Sequence, residues 1–134
     1  MKIYLDTNVF ISLLNEEIGF NFRGLNIEAR DFFEKIKFKH TICISKLFLE
    51  ETQKILFINF DQIYKELNKR NIRFKEVGHA KQETLTKFAS LKIHYPDFIH
   101  AAIAFENCDC IVTFNLKDFE KAKPFILILS PTDF

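Results

Sequence analysis

Hydrophobic positions along the chain switch repeatedly between the short runs of strands and the three-to-four spacing of helices. Lys2-Ile3-Tyr4-Leu5 is a short apolar run of the kind a buried strand presents. Asp6-Thr7-Asn8 follows at once, all residue types that cap helices, and Val9, Phe10, Leu13 and Leu14 then recur at helical spacing. Residues 15 to 26 carry Gly19, Gly24 and several asparagines, which predicts a loop. Ile27, Phe32, Phe33 and Ile36 predict a helix from Ile27 to Phe38. Thr41 to Ile44 reads as a second strand, with Ser45 as the N-cap of a helix running to about Ile58. A helix over Asp61 to Arg70 and a third strand over Arg73 to Val77 come next, with Gly78 ending the strand. Lys81 to Leu91 reads as helix. Pro96 suits the first turn of a helix reaching about Glu106, because its missing N–H has no partner there anyway. Cys110 to Thr113 and Phe125 to Leu129 complete five strands.

Strands that alternate with helices predict a parallel sheet covered on both faces. Ligands of such open sheets bind beyond the carboxyl ends of the strands. The residues directly after each strand are therefore the ones to inspect.

Composition narrows the class without naming a chemistry. A chain of 134 residues with 48% hydrophobic and 28% charged residues has the size and apolar content of one domain with one sizeable core. We expect a single domain over residues 1–134. Seventeen phenylalanines are many for that core, and an exposed cluster of them would point to a protein partner. The net charge of +1 supplies no general attraction for nucleic acid, so any such site must be local. Two basic runs are available: Lys65, Lys69, Arg70, Arg73 and Lys75, and Arg30, Lys35, Lys37, Lys39 and His40. Charge runs are usually solvated helix faces, which is the simpler reading of both. The three cysteines, Cys43, Cys108 and Cys110, make an odd set without a secretory signal, which favours a reducing compartment. Cys108-Asp109-Cys110 lacks the second pair that a zinc site needs, and all three read as small buried apolar residues. No apolar run approaches a membrane span of about 18 residues, and no targeting peptide is evident at the start. A cytoplasmic location is expected.

The carboxylates carry the chemistry. Asp6 directly follows the first strand; a capping role also accounts for it, although Thr7 and Asn8 could cap instead. On a helical wheel of about 3.6 residues per turn, Glu51 shares its direction with Leu47, Phe48, Ile55 and Ile58. A lone carboxylate in an apolar stripe is costly to desolvate and calls for a cation. Glu50, on the flank, is spaced for a surface pair with Lys54. Asp97 lies in the first turn of its helix, where the dipole alone favours an acid. His100, one turn on, reads more simply as a satisfied structural histidine than as part of a site. Asn115 and Asp118 follow the fourth strand, in positions that a turn would also explain. Taken together, acids cluster at one rim, where they repel unless a divalent cation binds. Oxygen-only donors suit Mg²⁺ or Mn²⁺ rather than zinc. Carboxylate-held metal can activate water and stabilise an in-line displacement at a phosphodiester.

At these residues the chain resembles the PIN-domain family, and most closely the toxin ribonucleases of bacterial and archaeal VapBC toxin–antitoxin modules. Ile3-Tyr4-Leu5-Asp6-Thr7-Asn8 is similar to that family's first acid motif. Ile44-Ser45 with Glu51 resembles its strand, serine and helical glutamate. Asp97 through Ala102 matches the third acid, and Ile111 through Asn115 with Asp118-Phe119 the fourth region. The ending, Ser130 to Phe134, is similar to the family's closing segment. The resemblance implies a three-layer α/β/α domain with a central, mainly parallel sheet of about five strands. It implies an endoribonuclease using Mg²⁺ or Mn²⁺, with Asp6, Glu51, Asp97 and Asp118 as catalytic metal ligands. Thr7, Asn8, Thr113 and Asn115 would be supporting polar groups. Many members carry Asp where Asn115 stands, so Asp118 is taken as the ligand there. The family also implies RNA as substrate, a cognate antitoxin as partner and a homodimer. A non-catalytic module of the same fold, binding RNA or protein, is the alternative.

Two other phosphoryl-transfer folds place Asp after the first strand. A haloacid-dehalogenase-like enzyme needs a second Asp two residues on, where Asn8 stands. A receiver-like domain needs an Asp after the third strand, where Gly78-His79 stands.

Overall fold

The computed structural model describes residues 1–15 and 25–134. The loop expected around Gly19 and Gly24 lies outside the described residues. Five strands form the centre: β1 (Lys2–Leu5), β2 (Thr41–Ile44), β3 (Arg73–Glu76), β4 (Cys110–Val112) and β5 (Leu127–Leu129). All pairings are parallel, in the order β3-β2-β1-β4-β5. Among the described residues six α-helices accompany them: α1 (Thr7–Asn15), α2 (Leu25–Ile36), α3 (Lys46–Leu56), α4 (Phe60–Lys69), α5 (Gln82–Ser90) and α6 (Asp97–Asn107).

Three layers follow from the alternation of side chains along the strands. Ile3 and Leu5 of β1, with Ile42, Ile44 and Val112, join the apolar residues of α1 to α4 in one core. Tyr4 points the other way. With Cys43, Ile111 and Ile128 it joins Phe88 of α5, Ala101 to Ala104 of α6 and Phe119 in a second core. β1 is therefore covered on both faces, which is why its sequence reads as one apolar run. The arrangement is a three-layer α/β/α fold, as expected.

Local signals place most boundaries within a residue or two of the observed ones. Ser45 caps α3 as expected, its Oγ accepting from the Phe48 N–H at 3.0 Å. Asn59 and Gln62 form a capping box that starts α4 one residue earlier than the Asp61 expected. Pro96 sits just outside α6 rather than in its first turn, leaving Asp97 as the first helical residue. Asp6, not Thr7 or Asn8, occupies the position before α1. The fifth strand begins two residues later than expected, because Phe125 still bonds back to the preceding turn through its N–H.

Some side-chain expectations change. Cys43 and Cys110 are buried, but Cys108, at the end of α6, is only partly so. Glu50 pairs with Lys46 rather than Lys54. Arg70 pairs with Glu66, and Lys37 with Glu34, so parts of both basic runs are internally matched. The phenylalanines exposed among the described residues include Phe38, Phe57, Phe105 and Phe125; the last two lie beneath the Lys87 ammonium. No described helix is long and apolar enough to cross a membrane.

Candidate active site

The chain leaves β1 through α1 on one face, and leaves β4 through a 3₁₀ segment (Leu116–Ala122) that packs in the core of the other face. Adjacent strands whose connections diverge in this way open a crevice at their carboxyl ends. There the Thr113 hydroxyl donates to Asp6 Oδ2 at 2.6 Å, and the Asp6 N–H donates to the Val112 carbonyl at 2.9 Å. The divergence is thus bridged by the first acid itself.

A cavity of about 470 Å³ occupies this crevice. Asp6, Glu51, Asp97 and Asp118 all line it, one from the end of β1, one from α3, one from the start of α6 and one from the 3₁₀ segment. Thr7, Asn8 and Asn115 line it as well, while Thr113 is buried behind Asp6. Both candidates after β4, Asn115 and Asp118, therefore reach the same space. The Thr113 hydroxyl also accepts from the Asn115 N–H at 2.9 Å, shaping the turn that carries them.

Glu51 reaches the cavity for a different reason from the one the wheel implied. The buried face of α3 is Phe48, Leu49, Thr52 and Leu56, whereas Ile55 is 54% exposed. The stripe of Glu51 thus divides: Phe48 packs in the core, while Ile55 stands with Glu51 in the cavity lining. The carboxylate is held firmly all the same. Its Oε1 accepts from the Thr7 hydroxyl at 2.7 Å and contacts His100 Nε2 at 2.8 Å. His100 is satisfied and buried, as expected, but it is also tied to the site. Its Nδ1 lies 2.5 Å from the Tyr4 hydroxyl, which lies 2.8 Å from Ser45 Oγ. Tyr4 escaped the sequence reading, although any Tyr in a fully buried strand must find a partner for its hydroxyl.

The charges respond to this crowding. Burial raises Asp6 above the usual carboxylate range, against the Thr113 hydrogen bond and the His100 charge, with Glu51 adding to the rise. Asp97 is pushed up to about 6, chiefly by burial and then by the charges of Asp6 and Asp118. Glu51 behaves oppositely. Burial pushes it up, but the His100 hydrogen bond and charge and the Thr7 hydroxyl outweigh that, leaving it below its ordinary value.

The donor set fits a hard divalent cation: four carboxylates, a neighbouring amide and no sulfur. Asn8 Oδ1 is buried without a hydrogen-bond partner, a further oxygen with nothing to satisfy it. Among the described residues, however, no three acidic, histidine or cysteine side chains already stand as a ligand cluster. Mg²⁺ keeps several waters and needs only one or two direct carboxylates, so a closed cluster is not required. Asp6, Glu51, Asp97 and Asp118 are the residues that would hold it.

Basic groups also stand near the acids, and they are not those of the two basic runs. Lys54 lines the cavity. Lys92, His94, Lys117 and Lys121 line an adjoining cavity that shares Asp118 and also contains Glu120.

Comparison with known proteins agrees with this architecture. No curated protein matches the chain in sequence. In fold it is similar to a chain of VapBC-1 from nontypeable Haemophilus influenzae, solved at 2.2 Å. The two share 20% identity with a TM-score of 0.64, over 98% of this chain and 99% of the other. At that identity the likeness speaks for the fold. The PIN domain family matches residues 3–123, a span that holds the whole sheet up to β4 and all four acids of the cavity. The chain belongs to the PIN domain family.

Proposed function

We propose that the chain is a Mg²⁺- or Mn²⁺-dependent endoribonuclease, the toxin of a toxin–antitoxin pair. The observation that carries this reading is the convergence of Asp6, Glu51, Asp97 and Asp118 on one cavity at the carboxyl rim of the sheet. Bound Mg²⁺ or Mn²⁺ supplies charge neutralisation at the phosphodiester and activates the attacking water. The residues divide the remaining work. Thr113 and Thr7 fix the orientation of Asp6 and Glu51. Asp97, pushed up to about 6 by burial and by the charges of Asp6 and Asp118, is a carboxylate whose negative charge a bound cation would offset. Lys54 on the rim, and Lys92, Lys117 and Lys121 beyond Asp118, give a polyanion local counter-charges that the net charge of +1 does not.

The fold shared with a VapBC-1 chain supports the toxin role and a cognate antitoxin. Phe57, 91% exposed at the end of α3 beside the cavity-lining Ile55, offers apolar surface for such a partner or for a second copy in a homodimer. A non-catalytic binding module is the second reading, favoured by the lack of a ready-made ligand cluster among the described residues. RNA cleavage by the purified chain separates the two. We expect cleavage with Mn²⁺ or Mg²⁺, none with EDTA, and a loss of at least about a hundredfold in Asp97→Asn, since changes merely behind a metal site already cost 10- to 100-fold.

A further inference from the structure

The hydrogen bonds behind Glu51 form one continuous chain. An ionised carboxylate can only accept, so His100 Nε2 carries the proton in its 2.8 Å contact with Glu51 Oε1. Nδ1 contacts the Tyr4 hydroxyl at 2.5 Å, taking its proton when the imidazole is neutral and donating to its oxygen when the imidazole is charged. The Tyr4 hydroxyl is in turn hydrogen-bonded to Ser45 Oγ at 2.8 Å, and Ser45 Oγ accepts the Phe48 N–H at 3.0 Å. Every member keeps a partner in either charge state, and the chain starts and ends on α3, crossing α6 and β1 between. Tyr4 is 0%, Ser45 1% and His100 1% exposed, so no water competes for these bonds. The Thr7 hydroxyl closes on the same Oε1 from α1.

We propose that His100, held by Tyr4 and Ser45, is a positioning residue that locks Glu51 Oε1 inward and leaves Oε2 to a divalent cation in the cavity. The inference rests on the metal-dependent reading above. His100 does not line the cavity; it acts through Glu51. Locking one carboxylate in advance spares the cation the cost of ordering it. It also explains why a histidine sits among Ala101, Ala102 and Ala104, a stretch of α6 that is otherwise small and apolar.

Mn²⁺ binding to the full chain, read from the electron paramagnetic resonance signal of free Mn²⁺, tests this without any substrate. Tyr4→Phe deletes one buried hydroxyl that does not touch the cavity. We expect its Mn²⁺ affinity to fall by about tenfold or more, with circular dichroism and cooperative melting of the metal-free protein retained. A histidine pair guards against a folding artefact. His100→Gln keeps a donor near the Nε2 position and should retain most of the affinity. His100→Asn keeps only the Tyr4 side and should lose it. Equal affinity in Gln and Asn variants, or native affinity in Tyr4→Phe, overturns the positioning role while leaving the metal site standing. Failure of the native chain to bind Mn²⁺ overturns the metal-dependent reading and this inference with it.

Discussion

Asp97 brings a negative charge into a half-buried corner already occupied by Asp6 and Asp118, and the fold bears the consequence. Its carboxyl is raised to about 6, above the unfolded value near 3.8. A carboxylate whose folded value is raised binds its proton more tightly in the native state. The metal-free fold is therefore favoured while Asp97 is protonated, and loses that advantage as pH rises from about 4 through about 6. Asp97→Asn, neutral throughout, should melt higher than the native chain at pH 8 in EDTA, and the gap should narrow toward pH 4.5. A variant that melts no higher at pH 8 would show that the acids do not strain this corner. Glu51 differs from Asp97 by its partners alone. Two donors on one oxygen outweigh its burial, whereas Asp97 has acids for company.

Elements carry these residues to one place with short-range signals that were partly legible in sequence. Ser45 was readable as a cap, and it also anchors Tyr4, a second role that no spacing reveals. The strands were legible because β1, β2 and β4 are buried on both faces and read as apolar runs. Glu51 is legible as an anomaly on α3, but of its wheel neighbours Phe48 is core whereas Ile55 is half exposed and lines the cavity. A wheel gives relative directions, and only packing decides which direction is inward. His100 is legible as a satisfied histidine; its partners lie on β1 and α3, 96 and 49 residues away in sequence, and long-range pairs leave no local pattern. α6 shows the same dependence on packing. Ala101, Ala102 and Ala104 are fully buried, which brings the helix close enough for His100 to reach β1. Ala101→Leu should overfill that contact and cost about 1–3 kcal/mol in urea melts. A change within about 0.5 kcal/mol would mean that α6 has room to spare.

At the scale of the whole molecule, the parallel order β3-β2-β1-β4-β5 with connections diverging after β1 and β4 sets the crevice, and sequence alternation alone predicted its rim. What the sequence hid was the identity of the nearby cations. The two conspicuous basic runs are partly matched by Glu66 and Glu34, while Lys92, Lys117 and Lys121, scattered in sequence, gather beside Asp118. With single-stranded RNA, Asp97→Asn as the binding-only background and Ca²⁺ present, Lys117→Ala should weaken association. It should also flatten the plot of log affinity against log salt by about 0.7, the share of one phosphate contact. An unchanged slope would place the strand elsewhere. The central claim concerns catalysis, and one assay reaches it most directly. Full-length chain, free of any partner, is incubated with RNA and Mn²⁺ or Mg²⁺ beside Asp97→Asn and an EDTA control. Metal-dependent cleavage in the native chain, absent from the folded variant, is the result predicted. Cleavage that persists undiminished in Asp97→Asn, or none from the folded native chain with either metal, contradicts the account.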